Sequence, residues 1–225
     1  MPGVLVKGKY ERRPVYEFRG VKCREMTYDE YIVKEIERSY GMLDVAGSTV
    51  MDIGANIGAF TLWALKHEAR QVIAFEPEPN NFEMLCLNTK AFRDIVIASN
   101  SALISGHETS LNLWVAPSGK NPGNSSLTAR RGRTSVAVHA FNFKKMLERY
   151  QPSVIKMDVE GAEYDLLTEP LPLYVKQIAM EIHLNDSWMF DQAPELVEQF
   201  RGWKCIKKPV LDNPTLWQTL GAWKR

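Results

Sequence analysis

Val50-Met51-Asp52-Ile53-Gly54-Ala55-Asn56-Ile57-Gly58 is a short apolar strand that runs into a glycine turn and then into a helix, and the rest of the chain falls into place around it. Glycine permits positive φ and a close approach of backbone to a ligand. A dinucleotide site usually presents three glycines to a pyrophosphate at a helix N-terminus. Here Asp52 stands just before the turn, where a carboxylate repels pyrophosphate and suits a cation. Glu76 closes the next strand, 24 residues after Asp52, near the roughly 20-residue offset at which an acid accepts ribose hydroxyls. A nucleoside with a cationic amino-acid tail satisfies both acids, and S-adenosylmethionine carries a sulfonium and an ammonium. Gly54, Ala55, Asn56 and Gly58, with Pro77 after the second strand, complete this expected site. The same residues also read as local structure: Asp52 and Asn56 as turn and cap groups, Glu76 as a solvated strand end, Pro77 and Asn80 as the turn and cap that open a helix.

Outward from this turn, apolar strands at 49–53, 72–75 and 95–98 alternate with helices that start at Ile57 and Asn80, the rhythm of a parallel, doubly wound α/β sheet with helices on both faces. Between residues 103 and 140 two strands, 110–115 and 134–140, flank a stretch holding Pro117, Gly119, Pro122 and Gly123, which predicts a mobile loop. The βα rhythm returns with a helix at 143–150 and strands at 154–157 and 177–182. A helix at 194–200 and strands at 204–207 and 216–223 close the chain. Before the turn, residues 4–24 suggest short strands or a hairpin, and Ile32, Val33, Ile36 and Tyr40 have the period of an amphipathic helix ending near Gly41. Residues 1–48 thus form an expected N-terminal β/α extension to a domain over 49–225.

In open α/β sheets, ligands lie outside the carboxyl ends of the strands. Asn100-Ser101-Ala102 stands where an adenine would be met, or forms a loop that bonds to itself. Asp158, in Ile155-Lys156-Met157-Asp158-Val159-Glu160-Gly161-Ala162-Glu163, ends a strand expected beside the one carrying Asp52, at the usual spacing of about 4.8 Å, and borders the methyl donor. Glu181 and His183 share a face one strand further out, so Asp158, Glu160 and His183 can converge. His183 is the expected general base, alone or with the two acids, although a single histidine is also an ordinary core or surface residue. A divalent ion, magnesium, held by Asp158, Glu160 and Glu181 is a second route to an activated hydroxyl. Lys156 inside an apolar strand needs a partner, Asp52 or Glu181.

The stretches from Met51 to Phe60 and from Ile155 to Tyr164, with Phe75-Glu76-Pro77 between them, closely resemble the FkbM family of methyltransferases in order and spacing. That resemblance implies a Rossmann-like class I methyltransferase fold with a mainly parallel seven-stranded sheet. It also implies S-adenosylmethionine as donor and, usually, methylation of a hydroxyl oxygen on a sugar or other small molecule. It supports Asp52, Gly54, Asn56, Gly58 and Glu76 at the cofactor, and Asp158, Glu160 and Glu163 as signature acids.

Composition narrows the rivals. With 28 Lys and Arg against 27 Asp and Glu, the net charge is +1, too balanced for a surface built wholly to grip nucleic acid. Lys120, Arg130, Arg131 and Arg133 form a local basic run that keeps a nucleic-acid acceptor in view, but the Asn-Pro-Pro-Tyr type of motif is missing from the relevant strand end. A noncatalytic binding protein is the remaining alternative. No apolar run approaches the roughly 20 residues that span a bilayer. The three separated cysteines read as reduced thiols, and a cytoplasmic location is expected.

Overall fold

The computed structural model describes residues 13–115, 134–213 and 215–225. The expected mobile loop and its basic run, 117–133, lie outside them. β1 (Val15–Phe18) and β2 (Val21–Arg24) form a hairpin whose turn residues Arg19 and Gly20 both have positive φ, 52° and 81°, as a two-residue turn matched to strand twist requires. α1 (Asp29–Tyr40) begins with Asp29 and Glu30, acids that oppose the positive end of the helix dipole. The buried Asp29 carboxylate accepts from the Arg24 backbone at 2.8 Å and from its guanidinium at 2.9 and 2.8 Å. The same guanidinium donates to Asn81 at 2.8 Å, so one residue stitches the hairpin to two helices.

The chain then lays down β3 (Thr49–Ile53), α2 (Ala59–Lys66), β4 (Gln71–Phe75), α3 (Pro79–Asn88), β5 (Val96–Ser99), β6 (Ser101–Ile104), β7 (Ser110–Val115) and β8 (Thr134–Asn142). It continues with α4 (Phe143–Tyr150), β9 (Val154–Met157), α5 (Glu163–Leu166), β10 (Gln177–His183), α6 (Ser187–Glu198), β11 (Lys204–Lys207) and β12 (Gln218–Lys224). Seven strands make the main sheet in the order β11-β12-β10-β9-β3-β4-β5. The five from β10 to β5 are parallel, and β12 runs antiparallel to both its neighbours. This is the class I methyltransferase arrangement, mainly parallel with one reversed strand.

The pleat distributes the strand residues between two cores. Met51, Ile53, Ile155 and Met157 face the layer of α4, α5 and α6, while Val50, Val72 and Val154 face α1 and α2. By the two-residue period Asp52 and Lys156 lie on the second of these faces.

Three expectations need correction. Ser101 and Ala102 are not part of a self-bonded loop but open β6, which joins β8 and β7 in a separate three-stranded sheet; β5 and β6 are separated only by Asn100, where the chain leaves one sheet for another. α6 starts at Ser187 rather than 194 and carries Pro194 inside it, accepting the loss of one backbone hydrogen bond. The cap of α3 is Glu78, whose side chain accepts from the Asn81 N–H at 2.7 Å, and Pro79 takes the first helical position.

Candidate active site

The turn after β3 consumes its own donors. Gly54 and Ala55 donate to the Phe75 carbonyl at 3.0 Å, Asn56 to Glu76 Oε2 at 2.7 Å and Gly58 to the Ala55 carbonyl at 2.8 Å. With these four N–H groups spent inside the protein, none of them remains to cradle a pyrophosphate. The glycines serve the fold as well as any ligand. Gly54 has φ 77°, and a Cβ there would stand 1.8 Å from the Asp158 carbonyl oxygen, so the tips of β3 and β9 could not close together. Gly58 has φ 85°, and its Cβ would press on Leu85 of α3 at 2.8 Å.

Asp52 is wholly buried behind this turn. Its Oδ2 accepts from Thr61 Oγ1 of α2 at 2.7 Å, and its Oδ1 lies 3.3 Å from Lys156 Nζ. Lys156 also donates to the Gly54 carbonyl at 2.6 Å and lies 4.0 Å from Asp158. Burial works against the lysine charge, but Asp52 and Asp158 outweigh it and raise its pKa. Asp52 is thus the ion-pair partner that the buried lysine requires. At the tip of β4, the Glu76 carboxylate holds two backbone N–H groups, of Asn56 at 2.7 Å and Glu78 at 2.8 Å. Burial pushes its carboxyl up to about 8, against those hydrogen bonds, which favour the charged form. Asn100 donates to the carbonyls of Glu76 and Pro77 at 2.8 and 3.1 Å, so its amide is spent on the neighbouring loop.

Two cavities open at the strand tips. The first spans about 640 Å³ counted out into open solvent. It runs from Glu76 and Pro77 past Ser101 and Ala102 to Asp158 and Glu160. Leu113 of β7 also lines it; this contribution from the second sheet was invisible in the sequence, because nothing local marks β7 as reaching the β3 turn. The second cavity, of about 1210 Å³ on the same measure, is lined by Tyr31, Tyr40 and Trp217 and by Glu35, Glu181 and Lys156. Tyr31 and Tyr40 come from α1 and Trp217 from just before β12, and their sequence signal is Tyr31 and Glu35 falling at helical spacing on one side of α1. Burial, then the charge of Asp158, pushes Glu181 up to about 8. Gly54, Asn56, Asp158 and Glu160 belong to both cavities and form the wall between them. Of the other expected site residues, Ala55 lines only the second cavity, and Asp52, Gly58 and His183 line neither.

Asp158, Glu160 and His183 do converge, each offering one ligand-type atom within 4.8 Å of the others. His183 is 1% exposed. Its Nδ1 lies 3.2 Å from Glu163 Oε1 and its Nε2 3.6 Å from Glu160 Oε2. Burial disfavours the charged ring, but the hydrogen bond and charge of Glu163, then Glu160 and Asp158, overcome it and raise His183 to about 10. An imidazole that keeps its proton is no general base as it stands.

The sequence profile of the methyltransferase FkbM domain matches residues 52–203. No curated protein matches the chain by sequence. Among solved structures, a methyltransferase FkbM from Methylobacillus flagellatus KT superposes with a TM-score of 0.51 at 16% identity, over 85% of this chain and 47% of that one. The chain therefore spans about half the length of that relative. TYW2 from P. horikoshii, in complex with MeSAdo, gives 0.52 at 15% identity over 93% and 70% of the two chains. A Streptococcus pneumoniae protein described as a tRNA (m1A22) methyltransferase, in complex with S-adenosyl-L-methionine, gives 0.51 at 12% identity over 85% and 72%. At such identities these likenesses speak for the fold, and the domain match speaks for the family. With that match running from the acid of the first turn to well beyond the convergent Asp158, Glu160 and His183, this chain belongs to the FkbM family of S-adenosylmethionine-dependent methyltransferases.

Proposed function

We propose that the first cavity binds S-adenosylmethionine and that the second admits a sugar or other small polyhydroxylated acceptor, which is methylated on oxygen. The observation that carries this reading is the shared wall: Gly54, Asn56, Asp158 and Glu160 touch both cavities, so a donor on one side and an acceptor on the other meet there. The first cavity suits the donor at both ends, with the Glu76 carboxylate for a ribose and the Asp158 and Glu160 carboxylates beside the cationic tail. Glu76 has lone pairs left beyond its two backbone bonds. Asp52 acts from behind, holding Lys156 and through it the Gly54 carbonyl. The bound donor supplies an electrophilic methyl group. The acceptor oxygen forms its bond to that carbon as the carbon–sulfur bond breaks, and the hydroxyl proton leaves to the carboxylates on the wall. Much of the acceleration comes from holding the oxygen in line. His183 acts through Glu160, as a positioning residue rather than a direct base.

Tyrosine and tryptophan faces suit the apolar sides of sugar rings, and carboxylates suit their hydroxyls. Among the described residues, four acids face the second cavity, Glu35, Asp158, Glu160 and Glu181, against one lysine, Lys156, a poor welcome for a phosphate backbone. The nucleic-acid alternative therefore loses ground. The free cysteines Cys23, Cys86 and Cys205 fit a cytoplasmic setting, and no helix among the described residues is long and apolar enough to cross a membrane.

The test combines calorimetric titration with S-adenosylmethionine, S-adenosylhomocysteine and NAD with a screen of hydroxylated, amine and RNA acceptors using a labelled methyl donor. Tighter binding of NAD sinks the donor assignment, transfer to RNA sinks the acceptor class, and donor binding with no acceptor methylated leaves a noncatalytic binder. His183→Ala is expected to lower kcat, by less than loss of a direct base would, with donor affinity little changed.

A further inference from the structure

The geometry points to a divalent metal site formed by Asp158, Glu160 and His183, suited to a first-row transition ion such as Mn²⁺ or Zn²⁺, with its open side toward the second cavity. The decisive group is the His183 ring. Glu163, wholly buried, accepts from the His183 backbone N–H at 2.6 Å and faces Nδ1 at 3.2 Å with the same oxygen. A carboxylate accepts only, so Glu163 keeps a proton on Nδ1, and Nε2 is the nitrogen that a metal ion would claim in exchange for its proton. Nε2 is buried and makes no hydrogen bond. It looks instead at two carboxylates, Glu160 Oε2 at 3.6 Å and Glu181 Oε2 at 4.0 Å. A buried ring nitrogen that faces carboxylate oxygens beyond hydrogen-bonding range leaves room for a divalent cation between them, in place of the Nε2 proton.

The spacing fits one. Two ligand atoms each about 2.1 Å from a common ion lie about 3.0 Å apart at a right angle and about 3.4 Å apart in a tetrahedron, close to the 3.6 Å between Nε2 and Glu160. The support behind the ligands is also of the kind metal sites use, a carboxylate on the far nitrogen of the histidine. Glu163 does this and more: its other oxygen accepts from the Gly161 N–H at 3.0 Å, so one side chain sets both the imidazole and the turn that presents Glu160. Glu160 itself is held at φ 54°, a conformation that a non-glycine residue adopts at a cost and that recurs at functional sites. The donor set differs from the all-carboxylate set read from the sequence. Glu181 is not among the three converging groups, and an imidazole ligand shifts preference from magnesium toward transition ions. Asp158 and Glu160 line both cavities, so on the reading that the acceptor enters the second cavity, its hydroxyl can reach the ion and lose its proton to solvent more readily.

Binding can be read without donor or acceptor. The full chain, stripped with chelator, is titrated calorimetrically with MnCl₂, ZnCl₂ and MgCl₂. The site predicts saturation at one equivalent of Mn²⁺ or Zn²⁺, at least tenfold tighter than Mg²⁺. Asp158→Asn and Glu160→Gln, at partly exposed positions, each weaken it at least tenfold, with circular dichroism reporting the fold. Glu163→Gln weakens it by about 10- to 100-fold, with circular dichroism reporting the fold. Absence of saturable binding, or binding indifferent to Asp158→Asn and Glu160→Gln, overturns the site. So does a ¹⁵N-histidine spectrum in which Nε2 of His183 carries a proton and ignores Zn²⁺. None of these results touches the donor and acceptor assignment, which fails instead on the NAD titration and the acceptor screen.

Discussion

After β3 the chain turns through Gly54, Asn56 and Gly58 at φ 77°, 52° and 85°; after β9 it turns through Glu160 and Gly161 at 54° and 104°. The two turns lie side by side at the tips of neighbouring parallel strands and use the same left-handed backbone, yet they differ in how far their side chains reach solvent. In the first, the N–H groups of Gly54, Ala55, Asn56 and Gly58 all find acceptors within the protein, and the buried Asp52 is matched by Lys156 and Thr61. In the second, Asp158 and Glu160 keep 32% and 24% of their side chains exposed, and the His183 nitrogen behind them makes no hydrogen bond. The first turn spends its backbone donors on the fold, although Asp52 Oδ1 and Asn56 Oδ1 are buried without a hydrogen bond; the second presents partly exposed carboxylates beside a buried imidazole.

The contrast is most severely tested at Lys156. Lys156→Met leaves Asp52 charged and unmatched in a dry site, and breaking a buried pair in this way costs about 3–5 kcal/mol. Urea unfolding of the wild type, Lys156→Met and Lys156→Met/Asp52→Asn measures it. The double variant is expected to regain most of the loss, and a single variant as stable as the wild type would show that the first turn does not depend on the pair. Asp158→Asn, by contrast, is expected to leave stability within about 0.5 kcal/mol, as for an ordinary surface change.

A smaller effect is expected at Glu76, where Glu76→Ala should weaken S-adenosylhomocysteine binding by about 1.5–3 kcal/mol. Burial raises this carboxyl to about 8, so the free protein holds a proton there at neutral pH that the ionised acceptor form must release. Affinity should therefore rise from pH 6 to about pH 8 and level off above it, with proton uptake by buffer visible in titrations run in two buffers of different ionisation enthalpy. For stability the sign is opposite: a carboxyl whose folded pKa is raised loses stability as pH climbs from its unfolded value toward 8. A pH-independent affinity would mean that the ribose does not use the charged form.

The smallest change concerns the strain in the second turn. Replacing Glu160 by glycine removes the cost of a left-handed non-glycine residue, about 1 kcal/mol, and should raise Tm by about 2–4 °C for a chain of this size while abolishing metal binding. A fall in Tm would show that Glu160 is held there by interactions worth more than its strain.

Residues 49–53, 71–75, 154–157 and 177–183 were legible as strands because parallel strands buried on both faces read as short continuous apolar runs. The two signature turns were legible too, since glycine and acid at a strand end carry local chemistry. β6 was not, because Ser101 to Ile104 continues the apolar run of β5 after a single residue, and nothing local says that it pairs with β8. Nor was the start of the helix around Pro194, which is set by packing of Met189 and Ala193 on the core rather than by propensity.

The sequence by itself determined the class of fold, the position of the turn between Asp52 and Glu76, and the gathering of Asp158, Glu160 and His183 at adjacent strand ends, because strand period and parallel order are local properties. Only the tertiary structure decided which way each polar group faces. Asp52 turns toward α2 and Lys156 rather than into the donor cavity, and His183 stands behind Glu160 with its ring indexed by Glu163. The pleat sends alternate residues to opposite faces, but what waits on each face is brought there by segments far away in the chain.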